Sequence, residues 1–235
     1  MSLVKLLILF ASAVLVGLPF LSFTLKEERL QKLLLSFSGA FILALCLVHL
    51  LPEVYEVLSA EQAGLIIFIG FLLQQVLDYF SGGLEHGHLH QHHNGHSHTH
   101  SFPFAVFVAL CVHAFAEGLP LSQGNASDAL FKGILLHNIP ISIALVQMLQ
   151  NSHTSKTKTV LALCIFAAMT PAGSLLSGIF VINNPALPAA ALALVIGIFF
   201  HIGTTILFEA EQNHRFNLIK FISVLLGAAL AFILH

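Results

Sequence analysis

Three residues near the middle of the chain have the types and spacing for metal chemistry. The stretch His113-Ala114-Phe115-Ala116-Glu117-Gly118 sets an imidazole and a carboxylate four residues apart, on one face of a helix. The stretch His137-Asn138-Ile139-Pro140-Ile141-Ser142 adds a second imidazole, and Asn138 offers a further oxygen. Two borderline nitrogen donors and one hard anion suit zinc, and three protein ligands leave a fourth position open. With neutral imidazoles and an ionised Glu117 the set is negative, and a divalent cation inverts that charge. The ion thereby offsets much of the cost of burying Glu117. The plainer alternative is that His113 and Glu117 simply pair with each other.

The surroundings of these residues are apolar. Of 235 residues, 57% are hydrophobic and 9% are charged, against about 25% charged in a soluble domain. That is too little polar surface to coat a globule, so lipid is the expected solvent. The few Lys and Arg are scattered and offer nucleic acid no basic surface. Cys46, Cys111 and Cys164 each sit inside an apolar run and are expected as free thiols.

Crossing the hydrocarbon core takes about 20 apolar residues as helix. Eight runs qualify: Leu3–Thr24, Leu33–Leu58, Ala63–Phe80, Phe102–Ser122, Ala129–Gln150, Thr159–Ile182, Ala186–Leu207 and Phe216–Leu234. The first is read as a span and not a signal peptide, because Lys26-Glu27-Glu28-Arg29 follows it directly. The expected fold is an all-α integral membrane protein of about eight transmembrane helices, forming a single transporter domain over the whole chain. Placing the amino terminus outside puts Lys26, Arg29, Lys32, Lys156, Lys158, Arg215 and Lys220 on the inner side, against Lys5 and Lys132 outside. Both termini are then outside, and the stretch Ser81–Ser101 is a cytoplasmic loop.

Depth ties the two motifs together. His113 lies about 11 residues into the fourth run, roughly 16 Å from the inner edge. His137 lies about 8 residues into the fifth, roughly 12 Å from the outer edge. In a core of about 30 Å these depths nearly coincide. Adjacent antiparallel helices would therefore bring His113, Glu117 and His137 together near the midplane. Pro120 and Pro140 are expected to free the carbonyls of Ala116 and Leu136, and irregular backbone at depth is tolerated where it lines a cavity.

Other polar residues form a candidate ladder. His49 and Glu53, four apart at the outer end of the second run, are a candidate entrance. Asp78, His201 and Glu209, near inner ends, are a candidate exit. Taken singly, each reads more readily as an interfacial solvated residue; together they could be entrance and exit relays. The loop histidines His86, His88, His90, His92, His93, His96, His98 and His100 form a compositional metal-binding tract, expected to bind ions weakly.

The chain resembles the ZIP family of zinc- and iron-regulated transporter-like permeases. The resemblance rests on the fourth- and fifth-run motifs, on His-Leu-Leu-Pro-Glu at His49–Glu53, and on the His-rich loop after the third run. It implies a three-plus-two-plus-three arrangement of helices, alternating access, movement of metal into the cytoplasm, and often a homodimer. It also implies that His113, Glu117 and His137 are metal ligands. The chain departs from the family pattern at Ala114, where Asn is common, and at Ile141, where a carboxylate is common. Ser142 stands in place of Gly, and Thr170 stands where a carboxylate often precedes the sixth-run proline. One metal site is therefore expected, not two.

The expected activity is divalent transition-metal transport, not catalysis. Zn2+ is the expected transported substrate, with Fe2+, Mn2+, Co2+ and Cd2+ as alternatives, and the expected partners are the lipid bilayer and the ion. The expected location is the plasma (cell inner) membrane, with multiple passes. The rivals are a membrane-embedded metal hydrolase and a membrane metal sensor built on the loop.

Overall fold

The computed structural model describes residues 2–23, 28–81, 102–122, 127–180, 186–209 and 218–233. Among them the chain is helical, with no strand. The described residues of all eight expected runs are mostly helical. The first is α1 (Leu3–Gly17), closed by a 3-10 turn at Leu18–Leu21. The second is α2 (Glu28–Leu45), a π turn at Cys46–Leu50, and α3 (Leu51–Val57). Next come α4 (Ala60–Ser81), α5 (Phe104–Gly118), α6 (Ser127–Asn151), α7 (Lys156–Phe180), α8 (Ala186–Glu209) and α9 (Leu218–Ile233). Seven of the spans are long and apolar enough to cross a membrane, and α9 is a shorter apolar helix. The three cysteines are free thiols.

Local signals set the helix ends. Ser2 caps α1 by accepting the Lys5 N–H. At the start of α4, Ser59 Oγ accepts the Gln62 N–H at 3.2 Å while Gln62 Oε1 accepts the Ser59 N–H at 3.3 Å. This reciprocal box lets the chain reverse between α3 and α4 within a few residues. Between α6 and α7 the reversal uses His153 at φ 54°, the left-handed conformation that ends a helix abruptly. Pro120 acts differently from expectation. It lies in a 3-10 turn, Leu119–Ser122, that ends α5, and the Leu119 N–H bonds to Ala116 O. The carbonyl that the proline would orphan is taken up by the tighter winding. Pro140 and Pro171 lie inside α6 and α7, which run through them unbroken.

In space the helices sort into two groups of four spans. In one, α2 packs on α8 and α9, and α4 packs on α8. In the other, α1 packs on α6 and α7, and α5 packs on α7. The groups meet where α2 faces α6 and α4 faces α5. Within each group the backbones touch. A Cβ on Gly197 of α8 would lie 1.9 Å from the Ile67 carbonyl of α4, and one on Gly70 of α4 would lie 2.1 Å from the Leu194 carbonyl of α8. The same reciprocity joins α5 and α7, where a Cβ on Gly118 or Gly173 would stand 2.1 Å from the carbonyl of Thr170 or Phe115. Such small-residue seams drive association in lipid, where dispersion must replace the hydrophobic effect. Outward faces are apolar, with Leu65, Phe68, Ile69 and Leu72 of α4 exposed, as a lipid-facing surface requires.

The seam can be tested with an internal control. Gly197→Ala should destabilise the purified protein by about 1–3 kcal/mol, as overpacking does, and lower its melting temperature. A Cβ on Gly64, also in α4, meets nothing within 4 Å. Gly64→Ala should therefore leave the melting temperature unchanged or raise it through helix propensity. Equal effects of the two substitutions would remove the seam as the cause.

Candidate metal centre

His113 and Glu117 project from the last turns of α5, and His137 projects from the middle of α6. All three side chains are wholly buried. Glu117 Oε1 lies 3.0 Å from His113 Nε2 and 3.8 Å from His137 Nε2. One ligand atom from each residue falls within 4.8 Å of the others, and among the described residues no other group of His, Cys, Asp and Glu does so. Two ligands of a tetrahedral zinc with bonds of about 2.0–2.1 Å are about 3.3 Å apart. Closing the triad onto one ion therefore needs only a small contraction. The depth match expected between the fourth and fifth runs is realised as direct proximity.

The donor set has a defined polarity. His113 Nδ1 is 3.0 Å from Gln74 Oε1, an amide oxygen that can only accept. The proton therefore sits on Nδ1, and in the neutral ring Nε2 turns its lone pair toward Glu117. His137 Nδ1 is 3.2 Å from Ser38 Oγ, which leaves its Nε2 toward the same carboxylate. The rings of His113 and His137 meet edge to face at 5.8 Å, and Phe199 of α8 packs on His137 at 5.9 Å. Neither oxygen of Glu117 has a hydrogen bond, and nor do Asn138 Oδ1 and Ser142 Oγ, one turn apart on α6. A wholly buried carboxylate without hydrogen bonds, beside two imidazole nitrogens, calls for a proton or a metal cation.

Other candidate residues fall into place unevenly. His201 Nε2 of α8 and Asp78 Oδ2 of α4 are brought to 3.6 Å, with Phe71 packed edge-on against the imidazole at 4.9 Å. Asp78 follows Gln74 by one helical turn, about 6 Å along α4. His49 lies in the π turn, half-buried, with Nε2 3.0 Å from the Ala231 carbonyl of α9. Glu53 stands half-buried in the first turn of α3. Glu209 ends α8, but its side chain lies outside the described residues. The loop histidines His86, His88, His90, His92, His93, His96, His98 and His100 also lie outside them. Gln74 and Ser38 were not singled out from the sequence. The available signal was a buried amide in an apolar span, Phe71-Leu72-Leu73-Gln74, which lipid disfavours unless it is bonded.

Fold and site together define a multi-span helical membrane protein with a buried centre competent for a divalent metal. Residues 90–235 match the family model described as ZIP zinc transporter. That match covers well over half of the chain, and the protein belongs to this family of divalent-metal transporters. No curated protein matches the chain.

If the triad takes a metal, the carboxylate governs the linkage between binding and stability. Saturating zinc should raise the melting temperature of the detergent-purified protein, because a ligand that binds only the folded state stabilises it. Glu117→Gln keeps the shape and removes the charge, and most of that zinc-dependent rise should disappear. An equal rise in Glu117→Gln would place the bound zinc elsewhere.

Proposed function

We propose that the protein carries zinc into the cytoplasm by alternating access, with His113, Glu117 and His137 as the three ligands and water as the fourth. The observation that carries this reading is the convergence of two imidazole Nε2 atoms on one buried carboxylate oxygen, at 3.0 and 3.8 Å. Two nitrogens and one oxygen favour zinc over magnesium or calcium. An open fourth position suits a site that must also let the ion go. Family membership supports transport over hydrolysis. Because all three ligands are wholly buried, the ion needs a helix displacement to enter or leave. A rocking or sliding of one helix group against the other provides it.

A single ion fits the packing. Ala114 and Ile141 replace residues that would help to build an adjacent site. Both are buried in an apolar cluster with Leu110, Leu145 and Phe166. His201 and Asp78, one turn along α4 from the Gln74 level, form a second pair suited to receive the ion on its way to the inner side. His49 and Glu53 stand at the outer end as the entrance, and Asn138 is a further oxygen beside the triad. The inward direction rests on the family resemblance alone; the distribution of Lys and Arg supports an orientation with both termini outside.

Zinc flux into proteoliposomes tests the reading. The triple variant His113→Ala, Glu117→Ala, His137→Ala should lose uptake to background while still reaching the membrane in normal amount. Unchanged uptake would refute the site. Removing Ser81–Ser101 should leave most of the flux, whereas a sensor built on the loop would lose its response.

A further inference from the structure

We propose that Gln74 and Ser38 are positioning residues that set the metal affinity of the triad from across the boundary between the two helix groups. The proposal rests on the metal-site reading above and adds the groups that regulate that site. Both residues are buried in spans, Gln74 fully and Ser38 nearly so. Each meets the Nδ1 of a different imidazole, Gln74 Oε1 at His113 and Ser38 Oγ at His137. Each ring is thereby held at the nitrogen opposite the one that faces Glu117. A metal-ligating imidazole whose other nitrogen donates to an oxygen is fixed in tautomer and orientation, and its ligating nitrogen becomes more basic.

The placement of these oxygens gives them a second consequence. The ligands stand on α5 and α6, whereas Gln74 stands on α4 and Ser38 on α2. The α4–α8 pair and the α5–α7 pair are each locked by glycines at backbone contact. No helix carries both a ligand and its supporting oxygen. A displacement of one group past the other by more than about 2 Å stretches both Nδ1 contacts beyond hydrogen-bond range. The imidazoles then lose their support at the moment the groups part, and the ion is held less tightly. Affinity is thus high in the docked arrangement and falls with the movement that opens a route.

Zinc affinity of the full-length protein in nanodiscs, by competition with a chromogenic chelator, tests this beside flux in proteoliposomes. Gln74→Leu should raise both Kd and transport KM by about 10–100-fold, with maximal flux retained. Gln74→Glu keeps an accepting oxygen at the same reach and should restore both toward the wild-type values. Ser38→Ala should raise them several-fold, because it removes a neutral and longer contact. A merely structural role would lower folded yield and maximal flux without moving KM. Should Gln74→Leu fail to assemble, the smaller truncation Ser38→Ala decides. Unchanged Kd in the Gln74 and Ser38 variants, in a protein whose zinc binding is abolished by His137→Ala, overturns the proposal and leaves the site standing. Zinc binding that survives loss of all three ligands overturns the site itself, and this proposal with it.

Discussion

A carboxyl group buried in a lipid-solvated helix bundle is the constraint on which the rest depends. Glu117 has no exposed surface and no hydrogen bond. Its neighbours are two imidazoles held at their far nitrogens, one by the Gln74 amide oxygen and one by the Ser38 hydroxyl. A carboxylate and two ring nitrogens converge where hydrocarbon and aromatic rings offer no compensation, and an ionised carboxylate there costs several kcal/mol unless a proton or a metal cation sits among them. Nothing comparable exists among the other described residues. The His201–Asp78 pair comes nearest, but it is an ordinary imidazole–carboxylate contact that retains partial exposure.

The packing explains how such a centre is held and also opened. Where two helices move together, small residues let their backbones touch, as at Gly70 with Gly197 and at Gly118 with Gly173. Those seams have little freedom, since even a methyl group would collide. Where the two groups face each other, the contact is made by side chains, such as Leu45 of α2 reaching toward Gly133 of α6. Side-chain interfaces can exchange partners at modest cost, whereas interlocked backbones cannot. The centre lies at this more permissive boundary. Gly118 follows Glu117 directly, so the carboxylate is anchored to α7 by the glycine seam while it faces the side-chain boundary between the groups.

Much of this was legible in the sequence, for identifiable reasons. Spans are legible because lipid leaves a long apolar run few alternatives to helix, and the described residues of every run counted from the sequence are mostly helical. The triad is legible because helical spacing and depth along a span are both fixed by a rise of about 1.5 Å per residue. Partners across the bundle were not legible. Which span lies beside which is not encoded in chain order, so the third span's hold on the fourth through Gln74, and the second's on the fifth through Ser38, could not be inferred. The π turn at Cys46–Leu50, which turns His49 toward α9, did have a signal in Pro52, whose ring frees the Val48 carbonyl inside it. The 3-10 winding after Gly118 resolved a carbonyl that the proline rule left open, because a helix end has more than one way to satisfy its backbone.

The departures from the family pattern follow the same physics. A second ion beside the first would bring more positive charge into a pocket with a single carboxylate, and Ala114 and Ile141 supply none to offset it. Their burial among Leu110, Leu145 and Phe166 turns that flank of the centre into packing that stiffens α5 against α6 and α7. With one carboxylate and two neutral rings, the loaded site carries net positive charge in a medium that penalises it, so the ion is held by directional bonds to nitrogen more than by Coulombic attraction. Such bonds are sensitive to ring orientation, which is fixed from α2 and α4. A site with more carboxylates would grip a hard cation through charge alone and tolerate misaligned ligands. On the proposed reading, this one would discriminate through geometry, and would loosen its hold when that geometry is disturbed.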